Sequence, residues 1–163
     1  MKRKFIFIIV LSVFIHSCSK HELTPLNFEQ VADPEEATNL VGLEQEVLDI
    51  VNSHRSELGT NTLTFSAVAY EYANTHTDYM INKGNLSHDN FSSRASSIAS
   101  KVEVQMVAEN VAKDYSTAQE VFIGWYESTS HKITMEGDFT HTAVSVKEDE
   151  NGNFYYTQLF YKE

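Results

Sequence analysis

Apolar residues recur along this chain with two different periods. Leu43, Val47, Leu48, Ile50, Val51 and Leu58 fall mostly three or four positions apart, and Gly59 follows as a natural stop. That spacing lines one face of a helix and predicts one over 43–58. Ala69, Ala73, His76 and Met80 form a second stripe with Tyr72 beside it, predicting a helix over 66–83 that Ser66 caps and Gly84 ends. A third helix is predicted over 116–129, with Ala118, Val121, Phe122 and Trp125 as its buried face and Thr117 and Glu120 at capping-box spacing. Elsewhere the period shortens. After a stretch rich in Ser, Asn and Asp, Val102 to Ala112 reads as a strand. Phe139 to Lys147 alternates with β-branched residues, and Asn153 to Tyr161 is rich in aromatics, with Asn151-Gly152 as a hairpin turn between them. The simplest packing of these elements is an α+β fold, a three-layer α-β-α sandwich with a small, largely antiparallel sheet between helices.

The amino terminus follows different rules. Lys2, Arg3 and Lys4 precede an apolar run over 5–15 that only Ser12 interrupts. The run is too short for a membrane span, which needs about 20 residues, and has the layout of a secretory signal. It ends Ile15-His16-Ser17-Cys18, which is similar to a bacterial lipobox, with an aliphatic residue three before the cysteine and a small residue just before it. Cys18 is the only cysteine in the chain. A lone cysteine in an exported protein calls for an explanation. Lipidation and cleavage, leaving Cys18 as the first residue, is the expectation. Residues 1–17 are then a lipoprotein signal peptide. Residues 18–41, polar and holding both prolines, Pro25 and Pro34, are a lipid-anchored tether, and 42–163 form one globular domain. An alternative for the tether is an irregular strap packed on the domain through Leu26, Phe28 and Val31.

Composition narrows the partners. The chain carries a net charge of −11, and loss of residues 1–17 removes three basic residues and no acid, taking the mature chain to −14. Nucleic-acid binding needs clustered Lys and Arg, so nucleic acid is excluded as a partner. Association with a membrane must come through lipid on Cys18 rather than through charge. The expected location is the bacterial cell envelope, at the outer membrane or cell surface.

Several short blocks then occur in order: Asn52-x-x-Arg55-x-x-x-Gly59-x-x-x-Leu63; Ala73-x-x-His76-x-x-x-Met80 followed by Ser87-His88; Ala108-Glu109-Asn110-Val111-Ala112; Trp125-Tyr126-x-Ser128-x-x-His131-Lys132; Phe139-Thr140; and Tyr155-Tyr156-Thr157-Gln158-Leu159-Phe160. Each is weak alone. Together, over about residues 43–163, they resemble the CAP superfamily of cysteine-rich secretory, antigen 5 and pathogenesis-related proteins, in its bacterial secreted branch. The resemblance implies a cleft beside the sheet holding two His and two acidic residues. His88 and Glu109 carry over. Asp138 stands where the other His would be, and Ser92, Ser93 and Arg94 stand where a second Glu would fall. The tetrad is half present.

The candidate chemistry centres on a polar cleft of His88, Glu109, Asp138, His131, His141 and Ser128. His88 and Glu109 form a candidate weak divalent-metal site. Zinc ordinarily needs at least three protein ligands, so a metal-free cleft with no cofactor is the main expectation. Asp138 and His141 lie three apart on a predicted strand, so at most one should join the cleft. His88 and Glu109 could act as a general base pair, but no spacing singles out a nucleophile from Ser87 and Ser128, and no catalytic residue is assigned. His131 is either a cleft residue or a histidine at the carbonyl end of the third helix. His76 reads as a satisfied core histidine, and Asn52, Arg55 and Asn110 as structural hydrogen-bonding residues. The leading functions are a non-enzymatic surface module binding a lipid, glycan or protein, or a hydrolase of peptides or envelope polymers using the same cleft; a structural envelope protein with no small ligand is the third.

Overall fold

The computed structural model describes residues 34–163, and their side chains from residue 41 onward. The expected signal peptide, Cys18 and the expected tether up to residue 33 lie outside the described residues. Five helices and four strands follow in the order α1 (Pro34–Glu57), β1 (Thr64–Phe65), α2 (Ala67–Lys83), α3 (Phe91–Ala99), β2 (Met106–Lys113), α4 (Ala118–Glu127), α5 (Thr129–Glu136), β3 (His141–Glu148) and β4 (Phe154–Lys162). The sheet order is β1-β3-β4-β2, with β1 parallel to β3 and the other two pairings antiparallel.

Side chains alternate between the two faces of the sheet, and each face is covered by helices. Val144, Val146, Tyr156 and Phe160 meet α1, α4 and α5 in a core that includes Val47, Val51, Val121 and Trp125. Ala143, Leu159 and Tyr161 meet α2 and α3 through Ala69, Ala73 and Ile98. This is the expected three-layer sandwich. Arg55, fully buried, ties the first face together by donating to the carbonyls of Asn61, Met135 and Gly137. Asn52 does the same for the chain entering β1, accepting from Leu63 N–H and donating to Leu63 C=O.

The caps explain the boundaries that came out as expected. Ser66 accepts from Ala69 N–H at the start of α2, and Gly84 ends it in the left-handed region at φ 73°. Thr117 and Glu120 form the full capping box of α4.

Strand β1 was not among the expected elements, and several others differ from the sequence expectation. Helix α1 begins at Pro34, inside the segment read as tether; proline is admitted in a first helical turn because its missing N–H would have no partner there. The third predicted helix is α4, and a further helix not expected from the sequence, α5, follows it after Ser128, whose extended backbone (φ −87°, ψ 115°) ends α4 and opens α5. Helix α3 forms from a Ser-rich stretch in which Arg94 and Ile98 are the buried positions; a cation on the inward stripe hides the periodicity. The strand expected from Val102 starts at Met106, because Lys101 and Val102 still donate to Ile98 C=O as the chain leaves α3. Asn151-Gly152 does lie in the β3–β4 turn. The turn is longer than two residues, running from Asp149 to Asn153, with Gly152 at φ 83° and Asp149 accepting from the N–H groups of Asn151 and Asn153.

Candidate functional site

Alternation along β2 turns Val107, Glu109 and Val111 toward the α2–α3 layer, and Asn110 toward α5. Glu109 therefore points into the seam where α2, α3 and the loop between them converge. Its side chain is 1% exposed. Three residues from that layer meet it. Arg94 on α3 forms a two-pronged pair, Nε to Oε2 at 2.8 Å and Nη2 to Oε1 at 2.8 Å. His88 Nδ1 donates to Oε1 at 2.9 Å. His76 on α2 brings Nε2 to 3.7 Å from the same oxygen.

The loop carrying His88 is fixed from both sides. His76 Nε2 donates to Ser87 C=O at 2.6 Å, and Arg94 Nη1 donates to Asp89 C=O at 2.6 Å. Tyr79 and Lys83 hold the Asp89 carboxylate, and that pairing, with Lys83 foremost, keeps its pKa down at about 2. Asn90 then takes the left-handed conformation that Asn tolerates, φ 60°, and starts α3. His88 stays 53% exposed while its partner is buried. Its Nδ1 is committed to the carboxylate, and its Nε2 makes no hydrogen bond among the described residues. It borders a groove of about 260 Å³ together with Phe91, Val107, Ala108, Glu109 and Thr134.

The other expected residues separate into two groups. His131 lies near His88 but is not among the residues that line the groove. Its ring is partly buried, and burial first, then the nearness of His88, pushes its pKa down. It sits in the first turn of α5, the positive end of that helix, so the reading as a histidine at a helix carbonyl end is overturned. Its carbonyl accepts from Asn110 Nδ2 at 3.0 Å. Asp138, His141 and Ser128 bond elsewhere than to His88 or Glu109. Asp138 is exposed and pairs with Lys162. His141 stacks on Tyr161 at 4.8 Å and bonds Thr140. Ser128 approaches Ser130 at 3.3 Å. His76 is a core histidine, but only half satisfied: Nδ1 has no partner, and burial pushes its pKa down, keeping the ring neutral.

Arg94 is the residue that spacing did not single out. The signal was present as Phe91, Arg94 and Ile98 at helical spacing. Its presence bears on metal binding. A guanidinium already occupies both oxygens of Glu109, so a divalent ion would have to displace it, and the residues do not fit a metal centre. Among the described residues, no group of three or more His, Cys, Asp or Glu side chains lies close enough together to hold an ion.

An α-β-α sandwich with an imidazole–carboxylate cleft at an outer strand defines a class of secreted domain. Residues 48–160 match the profile of CAP, the cysteine-rich secretory protein family, and the chain belongs to that family. It is 30% identical over 125 residues to the uncharacterized membrane protein YlbC of Bacillus subtilis (strain 168), covering 73% of this chain and 34% of that protein. The chain thus spans about a third of the length of that relative. An extracellular protein containing an SCP domain from Bacillus anthracis str. Ames has a similar structure, with TM-score 0.69 and 25% identity, over 80% of this chain and 44% of that one. An outer surface protein from Borrelia burgdorferi superposes with TM-score 0.65 at 16% identity, over 73% of this chain and 91% of that one. These bacterial relatives are extracellular, surface or membrane proteins.

Proposed function

We propose that this chain is a lipid-anchored CAP-domain protein of the bacterial cell envelope that binds a ligand, without catalysis and without a metal, in the cleft around His88 and Glu109. The observation that carries the reading is the pairing of Glu109 with Arg94. The guanidinium neutralises the carboxylate, so Glu109 orients His88 rather than coordinating an ion. His88 borders the groove with its Nε2 free of any hydrogen bond among the described residues, and His131 lies near enough to feel its charge. Phe91 and Val107 supply the apolar surface that a binding groove needs.

Hydrolysis is the second reading, and one feature favours it: a carboxylate–imidazole dyad whose Nε2 makes no hydrogen bond among the described residues is the arrangement of a general base. Among the described residues, no hydroxyl is hydrogen-bonded to that imidazole, so a nucleophile would have to be water. The anchor on Cys18 draws support from the basic, apolar and lipobox-like run before it. Among the described residues, no helix is long and apolar enough to cross a membrane.

The test compares the wild-type protein with His88→Ala. Neutral sugars, fatty acids and short peptides are titrated in separate series while the imidazole resonances of His88 and His131 are followed. The expected result is perturbation by one series, lost in the variant, with an unchanged melting temperature because His88 is half exposed. Turnover of casein or peptidoglycan that disappears in His88→Ala would establish the hydrolase instead.

A further inference from the structure

Among the described residues, strand β2 is an outer strand of the sheet, bonded only to β4. The register fixes which way each of its backbone groups points. Asp114 N–H donates to Phe154 C=O, and Lys113 stands opposite Tyr155. In an antiparallel ladder the residues that exchange bonds alternate, so Ala112, Asn110 and Ala108 bond β4 while Val111, Glu109 and Val107 turn N–H and C=O outward. The indole of Trp125 takes the outward carbonyl of Val111 at 3.1 Å. Among the described residues, nothing takes the outward groups of Val107 or Glu109. These two residues also line the groove, between His88 and Phe91 on one bank and Thr134 on the other.

A groove along a strand edge selects for backbone chemistry. Unpaired N–H and C=O groups seek partners, and an edge is a template for another chain. Val107 and Glu109 stand two residues apart, about 7 Å, which is the repeat of an extended polypeptide. A fatty chain has no donors or acceptors to offer. Sugar hydroxyls do not repeat as paired donors and acceptors at that spacing. We infer that the groove takes an extended peptide segment, added as a strand to the outer edge of β2 and exchanging backbone hydrogen bonds with Val107 and Glu109. The inference rests on the binding reading of the cleft and names its ligand class. Trp125 closes the edge at Val111, so the paired stretch is about three residues. Side chains of the added strand alternate between the two banks. One set meets Phe91 and Val107 and should be aliphatic; the other meets Thr134.

The probe is a random heptapeptide library displayed on phage, selected on the full chain in detergent. Val107→Pro removes an outward N–H that β4 does not use, and proline is accepted on edge strands. Selected peptides should lose at least about tenfold in affinity on this variant. N-methylating a bound peptide should abolish binding at alternate positions only, and the amides of Val107 and Glu109 should gain protection from hydrogen exchange. The N-methyl scan keeps the test decisive if the proline variant fails to fold. An empty selection overturns the inference. So do selected peptides that tolerate N-methylation at every position; if those peptides still fail on His88→Ala, strand addition falls while the cleft remains the binding site.

Discussion

Glu109 is a buried anion whose three neighbours have different jobs. Arg94 neutralises it, His88 carries its orientation to the groove, and His76 braces the loop. Removing one partner of a buried ion pair leaves a charge without compensation, which costs about 3–5 kcal/mol. Arg94→Ala should therefore lower the unfolding free energy by an amount in that range, read as a lower denaturant midpoint at an unchanged slope. A loss under about 1 kcal/mol would show that the pair is not buried in solution. His76 makes a second prediction. Its pKa is lowered from 6.5 in the folded protein, chiefly by burial, and His131 is lowered too. The unfolded chain then binds protons that the folded one does not, so stability is full above about pH 7 and falls as pH drops through the ordinary histidine value. Melting at about pH 5.5 should be lower than at about pH 7.5. His76→Gln, which keeps an N–H donor for Ser87, should flatten that difference, and an unchanged pH profile in this variant would assign the effect to other groups.

At the scale of elements, α4 and α5 decide where His131 and the Thr134 bank stand. Helix α4 is set by its capping box, with Thr117 Oγ1 accepting from Glu120 N–H and Glu120 returning to the Thr117 N–H. Loss of such a cap costs about 1 kcal/mol. Thr117→Ala should lower the melting temperature by about 3 °C, with no effect on the imidazole resonances of the cleft. Movement of the His131 resonance in that variant would mean that α4 strain reaches the site. The box was legible because both partners lie within one turn. Helix α5 was not, because a serine such as Ser128 can end a helix or begin one, and only the burial of Met135 beneath α5 settles that a second helix follows. Helix α3 went unread for a related reason: its inward stripe carries Arg94, which composition counts as a surface residue.

At the scale of the whole molecule, two helical layers bury both faces of a four-stranded sheet, and among the described residues one side of β2 is left open beside the His88 loop. That open side makes the site a groove rather than a closed core. The proposed anchor also concerns the whole molecule, and it is tested away from the domain: Cys18→Ala should move the protein from the membrane fraction to the soluble fraction with its melting temperature unchanged. Recovery of that variant in the membrane fraction would defeat the lipoprotein assignment.

The amino-acid sequence determined the helices that bury apolar stripes, the capped starts of α2 and α4, the aromatic strand β4 and its hairpin, because each is written in neighbours a few residues apart. The joining of His88 to Glu109 was legible only through the resemblance of their motifs, since no local spacing connects them. Tertiary structure alone decided that Arg94 is the counter-charge of Glu109, that His131 approaches His88 while Asp138 and His141 bond elsewhere, and that Val107 faces outward from an unshared strand edge. A charge finds its partner, and a strand its edge, only when layers distant in the chain are packed together.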